Sequence, residues 1–381
     1  MKIGIEGQRL YRKKKHGMDM VALELIKNLQ SIDKKNEYVV FVKPDVDNQC
    51  IPPAPNFKIV ELSGGPYPTW EQFALPKAAK KEGCDMLHCT SNTGPVRSEV
   101  PLITILHDII YLEGVSLLKQ GGSIYQRFGN LYRKWIVPPV VKKSRRVTTV
   151  SNFERENIQN VLKLGDKLST VYNGVSSHFR KIDDKEVLSK AKEKYKLPDN
   201  FMFFLGNTAP KKNTPNVLKA FALFNAKSEV KYKLVMLDYE EAALQELLAS
   251  IGFPDIRKEI HLTGYVPNKD MPAIINQCKA FLYPSLRESF GIPILEGMAC
   301  GVPVVTSKTS SMPEIAEDAA AIVDPYNPEK IMEAIKKVIQ DDSYRNELIS
   351  KGMQRAKKFT WENMAQEYLK IYKNVYQEIK S

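Results

Sequence analysis

The sequence lacks the features of a disulfide-stabilised, zinc-binding or membrane-spanning protein. It has only five cysteines in 381 residues, and no two of them form a Cys-x-x-Cys pair. A disulfide framework or zinc cluster is therefore not expected. The few cysteines instead indicate a reducing, cytoplasmic compartment. The N-terminal MKIGIEG predicts a strand rather than an apolar signal segment. No apolar run approaches the roughly 20 residues of a transmembrane helix, so any membrane contact is expected to be peripheral, on the inner face.

Acidic residues are fewer than basic residues. The 56 Lys and Arg residues outnumber the 44 Asp and Glu residues, which leaves a net charge of +12. A basic surface favours phosphate groups on a nucleotide, a lipid headgroup or a nucleic acid. A solvated, lysine-rich exterior that keeps the protein soluble explains the charge equally well. No nucleic-acid-binding motif is present, and a nucleic-acid partner is not expected.

Short apolar strands alternate with amphipathic helices along the whole chain, which predicts parallel sheets covered on both faces. The predicted strands are Lys2–Glu6, Tyr38–Val42, Lys58–Leu62, Met86–His88, Leu102–Leu106, Arg146–Val150, Ser169–Tyr172, Met202–Leu205, Lys233–Leu237, Ile260–Leu262, Ala280–Tyr283, Pro303–Thr306 and Ala320–Val323. The pattern breaks before a polar stretch at Lys181–Lys196. We therefore expect two doubly wound α/β domains, residues 1–178 and 179–381, with the terminal helices in the second and a ligand cleft between them.

The segment from Tyr283 to Thr306 combines a strand, a glycine loop and a helix. The helix is predicted to begin near Ile292, and its free N–H groups and dipole would favour a diphosphate. Glu288 precedes those amides, where a sugar attached to the diphosphate would lie. Glu296 lies about one turn inside the helix, where a carboxylate could accept both hydroxyls of a ribose. The alternative is a pair of unrelated exposed glutamates, which the surrounding strand, loop and helix disfavour.

These residues resemble the E-x7-E signature of retaining GT-B glycosyltransferases, specifically glycosyltransferase family 4. The similarity continues through Gly301–Ser307, Ser311–Ile315 and Asp324-Pro325. The resemblance implies the GT-B fold, with two Rossmann-like domains facing each other across a cleft. It further implies that the first domain, residues 1–178, binds the acceptor and the second, residues 179–381, binds the nucleotide-sugar donor. It also implies that the loop and helix start bind the donor. The residues concerned are Glu288, Ser289, Phe290, Gly291, Ile292 and Glu296.

A second loop follows the first strand of the second domain and contains Lys211 and Lys212. Paired cations suit a departing diphosphate because its negative charge grows as the sugar bond breaks. The loop resembles the family's Pro-Arg-Lys-Asn pattern, with Lys211 where arginine is usual and Lys212 matching the lysine. Asn207 stands where family members often carry another arginine. A basic surface turn is the alternative, and Asn213 or Thr214 is predicted to cap the next helix.

The resemblance implies further donor contacts at three short segments of the sequence. Base recognition is expected at Gly264, Tyr265 and Val266, where an ordinary strand-to-helix turn is the alternative. Gly17, after a basic loop, resembles the family's glycine-rich phosphate loop, although a plain helix start explains it too. His107 follows a strand and matches a histidine beside the transferred sugar, although a lone histidine is more often structural.

The sequence therefore predicts a retaining hexosyltransferase in which His107, Lys212 and Glu288 are catalytic. The resemblance implies a GDP- or UDP-sugar donor, with mannose expected, and a glycan or lipid-linked acceptor in polysaccharide or lipopolysaccharide synthesis. We expect no cofactor and no metal, although Asp45-Val-Asp47 matches a metal-binding D-x-D triplet. A sugar-nucleotide epimerase or hydrolase and a non-catalytic sugar-nucleotide sensor are the alternatives.

The segment Tyr125–Arg146 mixes aromatic and basic side chains. It could rest on an anionic membrane surface and meet a lipid-linked acceptor there. A basic amphipathic helix on the protein surface is the simpler interpretation.

Overall fold

The computed structural model describes residues 1–112 and 124–381, with the backbone alone for residues 124–127. The chain forms two compact units, Met1–Gly174 with Trp361–Ser381, and Val175–Thr360. Each unit is built on a sheet whose strand pairings are parallel. The predicted pair of doubly wound α/β domains is therefore confirmed, whereas the cleft between them stays a prediction.

The first unit has a seven-stranded sheet in the order β3-β2-β1-β4-β5-β6-β7. Its strands are β1 (Lys2–Glu6), β2 (Glu37–Val42), β3 (Phe57–Glu61), β4 (Met86–Cys89), β5 (Leu102–Ile105), β6 (Arg146–Thr149) and β7 (Leu168–Thr170). Its helices are α1 (Gly17–Ile32), α2 (Tyr67–Thr69), α3 (Leu75–Lys81), α4 (Ile124–Lys143), α5 (Asn152–Leu162) and, at the end of the chain, α14 (Trp361–Lys380). A π-helical turn, Trp70–Ala74, joins α2 to α3.

The second unit has a six-stranded sheet in the order β10-β9-β8-β11-β12-β13. Its strands are β8 (Phe201–Phe204), β9 (Lys233–Met236), β10 (Ile260–Leu262), β11 (Phe281–Tyr283), β12 (Val304–Ser307) and β13 (Ala321–Val323). Its helices are α6 (Lys185–Tyr195), α7 (Thr214–Lys227), α8 (Glu241–Ser250), α9 (Met271–Ile275), α10 (Ile292–Ala299), α11 (Met312–Ala316), α12 (Pro328–Gln340) and α13 (Asp342–Ala356).

Continuous burial explains why the strands could be predicted from sequence. All four residues of β8, Phe201–Phe204, are buried, and so are all three residues of β11, Phe281–Tyr283. A strand covered on both faces has no polar side to alternate with, so it appears as an unbroken apolar run. In both sheets the strand order reverses in the middle, between β1 and β4 and between β8 and β11. Ligands of open α/β sheets bind beside such a reversal, at the carboxyl ends of the strands.

The domain assignment of the last helix is wrong. The prediction placed it in a second domain of residues 179–381, whereas α14 packs against α1 in the first unit. Tyr372 of α14 shares a hydrogen bond of 2.6 Å with Nδ1 of His88, and the Tyr368 and Thr148 hydroxyls lie 3.0 Å apart. The second unit accordingly starts at Val175 rather than residue 179.

No helix in the described ranges is both long enough and apolar enough to cross a membrane.

Candidate functional site

The centre of the second sheet brings two loops together. β8 and β11 are paired neighbours, and the lysine loop follows β8 while the Glu288 loop follows β11. Because both strands run in the same direction, both loops leave the same edge of the sheet. The backbone N–H of Leu286 donates to the carbonyl of Lys211 at 2.7 Å, which fastens one loop to the other.

Asn213 fixes the end of the lysine loop. Its side-chain amide donates to the carbonyls of Pro284 at 3.0 Å and Pro325 at 2.7 Å, and it is almost fully buried. The residue adopts a left-handed φ of 60°, which asparagine tolerates better than most residues. Of the two residues predicted to cap α7, Asn213 holds the N-cap position, but its side chain makes no capping bond, because its Oδ1 accepts from the side-chain amide of Asn216 at 2.8 Å instead of from a backbone N–H.

Lys212 lies at the point where the loops meet. Its Nζ donates to Oε1 of Glu288 at 2.8 Å and to the Tyr283 hydroxyl at 2.8 Å. Lys211 lies farther out, with its Nζ 3.6 Å from Oε2 of Glu288. The Lys212 side chain is 17% exposed and that of Lys211 is 49% exposed. The structure therefore brings Lys211, Lys212 and Glu288 together, with Lys212 as the inner cation.

The Lys212–Glu288 ion pair is largely buried. Burial alone would raise the pKa of Glu288, but the charges of Lys212 and Lys211 outweigh it and the pKa falls below its ordinary value. Burial lowers the pKa of Lys212, against the opposing effect of Glu288. This buried cation is paired with a single carboxylate. A second anion would be attracted to it more strongly than in water, because the local dielectric constant is low. The pair is thus suited to a ligand with phosphate oxygens.

Gly291 allows the chain to turn directly into α10. Its φ is 100°, in the left-handed region where a side chain is strained, and an added Cβ would lie 3.1 Å from the Ile294 side chain. Pro293 occupies the first turn of α10, where its missing N–H breaks no helical hydrogen bond. The N-terminus of this helix therefore opens beside Glu288, as predicted, with Ile292 as its first residue.

Two serines from the loop after β12 hold the Glu288 loop. Ser310 Oγ accepts from the Glu288 N–H at 3.0 Å, and the buried Ser311 hydroxyl bonds the carbonyls of Glu288 and Phe290, each at 2.9 Å. Phe290 is itself buried, and Ser289 is half-buried. Sequence reasoning gave neither serine a role, although Ser311 falls inside a stretch of family resemblance.

Glu296 lies one turn inside α10 and is half-buried. Burial raises its pKa to about 7, with Lys212 acting in the opposite direction. Within the part of the chain that the structure describes, its carboxyl group makes no hydrogen bond. Its oxygens are therefore available to the hydroxyl groups of a ligand.

The predicted base-recognition segment has the backbone of a tight turn. Gly264 has a φ of 71°, Tyr265 is exposed and Val266 is buried. Across the described ranges, no hydrogen bond or ion pair joins this segment to Lys212 or Glu288, so its role stays a prediction. Asn207 uses its side chain to accept from the Ala209 N–H at 2.9 Å, which shapes the lysine loop from within.

His107 and Gly17 belong to the first unit. His107 is buried. Its backbone N–H donates to Oδ1 of Asn92 at 2.5 Å, and Nε2 of its ring lies 3.0 Å from the Thr90 carbonyl oxygen. Burial lowers the pKa of His107, so the ring is neutral and Nε2 carries the proton. Gly17 is the first residue of α1, and an added Cβ there would meet no atom within 4 Å. The contacts of both residues with a donor stay predictions.

The D-x-D triplet is engaged within the protein. Asp47 pairs with Lys15, and Asp45 accepts from the Val46 N–H at 2.7 Å. Among the residues that the structure describes, no group of three His, Cys, Asp or Glu side chains is arranged to hold a metal ion.

Comparison with known proteins adds family membership to this geometry. Residues 16–179 match the model for glycosyltransferase family 4, and residues 186–355 match the model for glycosyl transferases group 1. The second match contains both of the central loops and α10. Together the two models account for most of the chain.

Curated relatives match over part of their length. O-antigen chain mannosyltransferase B of Escherichia coli is 32% identical over 232 residues, which is 60% of this chain and 61% of the relative. A serotype-specific mannosyltransferase WbdA of E. coli is 31% identical over 205 residues, 52% of this chain and 25% of the relative. The matched region thus spans less than two thirds of either relative.

Solved structures match over the whole fold. Sucrose-phosphate synthase from Thermosynechococcus elongatus has a TM-score of 0.76 at 15% identity, covering 99% of both chains. Anabaena HepE in complex with UDP and glucose has a TM-score of 0.71 at 16% identity, covering 98% of this chain and 100% of HepE. These neighbours have the GT-B fold, and the chain belongs to the GT-B family of glycosyl transferases group 1.

Proposed function

We propose that the protein is a retaining hexosyltransferase that moves mannose from a nucleotide diphosphate sugar to a glycan or lipid-linked acceptor. The observation that carries the proposal is the Lys212–Glu288 contact of 2.8 Å beside the N-terminus of α10. One cation, one carboxylate and the N-terminus of a helix meet the needs of a diphosphate joined to a sugar.

Lys212 and the α10 amides take the diphosphate. As the bond to the sugar breaks, negative charge grows on the leaving phosphate, and preorganised donors stabilise it. Lys212 exchanges its hydrogen bond with Glu288 for one with a phosphate oxygen. Lys211, which is more exposed, adds a second positive charge at 3.6 Å from Glu288.

Glu288 and Glu296 bind opposite ends of the donor. Glu288 keeps its charge at neutral pH because Lys212 and Lys211 lower its pKa, and it orients hydroxyls of the transferred sugar. Glu296 accepts the hydroxyls of the ribose. The acceptor hydroxyl attacks from the face that the diphosphate leaves and passes its proton to the departing diphosphate oxygen, so the configuration is retained. We assign the neutral His107 to the sugar end of the site.

The choice of mannose draws on the relatives. The two E. coli relatives described above are named mannosyltransferases, one of them for the O-antigen chain. HepE was solved with UDP and glucose, which supports the class of donor but not the base used here. All five cysteines are free, which fits a reducing compartment, and we place the reaction in the cytoplasm.

We further propose that the reaction needs no metal ion. In other transferases a divalent cation neutralises the departing diphosphate. Here Lys212, Lys211 and the helix amides supply that positive potential.

A thermal-shift panel tests the proposal. Wild type and Glu296→Ala are melted with GDP-mannose, UDP-glucose, UDP-galactose, UDP-N-acetylglucosamine, GDP and UDP, each with and without EDTA. A ligand that binds only the folded state raises the melting temperature by mass action. We expect GDP-mannose to stabilise wild type in EDTA and Glu296→Ala to lose that response. If no sugar nucleotide shifts the melting temperature, the proposal fails. A shift that EDTA abolishes contradicts metal independence.

A further inference from the structure

The segment that leads from β12 into α11, residues 306–311, carries a hydroxyl group at five of its six positions, with Lys308 as the exception. We call it the hydroxyl segment. β11 and β12 are paired neighbours, with Tyr283 opposite Thr306, and both strands run in the same direction. The hydroxyl segment and the Glu288 loop therefore leave the same edge of the sheet, side by side.

Hydroxyl groups of the segment bind the main chain that follows β11. Three of them donate to carbonyls in chain order: Thr306 to Tyr283 at 3.0 Å, Ser307 to Ser285 at 2.6 Å and Thr309 to Leu286 at 3.0 Å. A carbonyl that has left the sheet and is buried needs a partner from a side chain or from water. The hydroxyl segment supplies these partners, so it defines the path of the chain from the end of β11 toward Glu288.

Both main-chain polar groups of Glu288 are bound by the last two residues of the segment. The Glu288 N–H donates to Ser310 Oγ at 3.0 Å, and the Ser311 hydroxyl bonds the Glu288 carbonyl at 2.9 Å. Ser311 occupies the N-cap position of α11, where a serine commonly bonds its own helix. Its hydroxyl instead bonds the carbonyls of Glu288 and Phe290.

Ser310 has a backbone conformation that serine disfavours. Its φ is 52°, in the left-handed region, where residues other than glycine and asparagine are strained. Such strain persists only where the surrounding structure fixes it, and it is concentrated at functional sites. Glycine would adopt the same backbone without strain. What serine adds at this position is therefore its hydroxyl group, which accepts from Glu288.

Glu288 needs a fixed main chain because its side chain changes partners in the proposed reaction. Lys212 leaves Oε1 of Glu288 for a phosphate oxygen, so the carboxylate loses its contact of 2.8 Å with the ammonium group. From then on its orientation toward the sugar depends more on its own main chain. A displacement of about 1 Å at a reacting centre can cost roughly 100-fold in rate.

We propose that the hydroxyl segment positions Glu288 for sugar transfer, and that Ser310 is the positioning residue on which this depends. Ser310 acts through the main chain of Glu288 and not through contact with the donor. The inference rests on the proposed transferase function and deepens it. It names the contact that keeps Glu288 oriented after Lys212 has turned to the diphosphate.

Ser310→Ala and Ser310→Gly separate the hydroxyl group from the backbone strain. Both variants remove the acceptor of the Glu288 N–H, but only glycine relaxes the left-handed φ. We expect kcat for release of GDP from GDP-mannose to fall by roughly 10- to 100-fold in both variants. KM should stay within about threefold of wild type, as for a contact that acts in the transition state. Ser310→Gly should nevertheless melt higher than Ser310→Ala.

A purely structural role predicts a different order of the two variants. Turnover would then follow stability, and Ser310→Gly would keep clearly more activity than Ser310→Ala. That result, or wild-type kcat in both variants, would overturn the inference.

Lys196→Gly is the matched control for the strain. Lys196 is exposed at the end of α6 and has a φ of 50°, so glycine relaxes the same conformation there. It precedes β8, toward the opposite edge of the sheet from the Glu288 loop. The control should melt no lower than wild type and should release GDP at the wild-type rate. A loss of kcat equal to that of Ser310→Gly would overturn the assignment to the Ser310 hydroxyl.

Hydrogen exchange distinguishes failure of this inference from failure of the proposed function. Exchange of the peptide that contains Glu288 is followed by mass spectrometry. It should be faster in Ser310→Ala and Ser310→Gly, because the Glu288 N–H loses its acceptor, and unchanged in Lys196→Gly. Unchanged exchange in the Ser310 variants would overturn the positioning role. If exchange is faster but wild type releases no nucleoside diphosphate from any sugar nucleotide, the Ser310 contact stands and the proposed function fails.

Discussion

The Lys212 ammonium donates to Oε1 of Glu288 at 2.8 Å, and it also lies 4.6 Å from the centroid of the Tyr283 ring. In the free protein the carboxylate therefore occupies the place where a phosphate oxygen would pair with the lysine. Ligand binding becomes an exchange of anions around one cation. Variants of the site should therefore differ in whether they change turnover, stability or donor affinity.

Glu288→Gln should affect the sugar end of the donor more than the nucleotide end. The amide keeps the size of the side chain but loses the charge that orients the sugar hydroxyls. We expect turnover of the sugar nucleotide to fall by roughly 100- to 1,000-fold, the usual loss for one electrostatic contact of a transition state. Release of nucleoside diphosphate measures turnover, and affinity for the free nucleoside diphosphate should not fall, because the carboxylate that competes with phosphate for Lys212 is gone. An equal loss of nucleotide affinity would contradict this division of the site.

Glu296→Gln should make the ligand-free protein more stable at neutral pH. Burial raises the folded-state pKa of Glu296 from 4.5 to about 7, so the folded state holds its proton longer than the unfolded state does. The contribution of Glu296 to the free energy of unfolding therefore declines as pH rises from about 4.5 to about 7 and is then constant. Glutamine does not titrate, so the variant gains up to about 3 kcal/mol over wild type across that window.

Melting curves at pH 5 and pH 8 check the prediction for Glu296. The two proteins should melt together at pH 5, and the variant should melt higher at pH 8. The same variant should bind the donor more weakly, since the carboxylate that accepts the ribose hydroxyls is gone. A variant less stable than wild type at pH 8 would mean that the charged carboxylate is stabilising in the free protein.

Gly291→Ala should damage the donor site through the backbone. Its φ of 100° strains any side chain by roughly 1–2 kcal/mol, and the new Cβ would press on Ile294 at the start of α10. We expect the phosphate-binding amides to shift and donor affinity to fall. Gly252→Ala is the control, because its φ is 82° but an added Cβ meets no atom within 4 Å. Both variants should lose stability, and calorimetric titration should show weaker donor binding for Gly291→Ala alone.

Tyr372→Phe should destabilise the first unit. The change leaves Nδ1 of the buried His88 without its 2.6 Å partner, and Nε2 of the same ring already has none. An unsatisfied buried polar group costs about 1–3 kcal/mol. Tryptophan fluorescence in urea follows this unit alone, because all three tryptophans belong to it. Tyr376→Phe, on the same helix but only half-buried, should change the midpoint little, and equal effects would count against the His88 contact.

Features that are contiguous in the chain could be predicted from the sequence. The predicted strand Met202–Leu205 lies at Phe201–Phe204, and the strands predicted over Lys2–Glu6 and Ile260–Leu262 have those bounds in the structure. The Glu288 loop was found for the same reason. Strand, glycine and helix start follow one another within about ten residues, so local propensity and turn chemistry specify them.

Contacts between distant segments could not be predicted. His88 and Tyr372 are 284 residues apart, and the apolar face of α14 would fit either sheet. Glu71 and Tyr132, 61 residues apart, carry no pattern that predicts their hydrogen bond. Only the packed loops show that the Asn213 side-chain N–H groups donate to the carbonyls of Pro284 and Pro325. Such choices depend on tertiary packing, which a single sequence does not display.

Calorimetric titration of GDP and UDP in EDTA, into wild type, Lys212→Gln and Lys211→Gln, tests the central claim most directly. One nucleotide should bind wild type without metal, and Lys212→Gln should weaken it by roughly 10- to 100-fold, the value of one hydrogen bond to a charged group. Lys211→Gln should have a smaller effect, because its side chain is 49% exposed and 3.6 Å from Glu288. Nucleotide binding that requires added Mg²⁺, or that is unchanged in Lys212→Gln, would contradict a metal-free donor site at the Lys212–Glu288 pair.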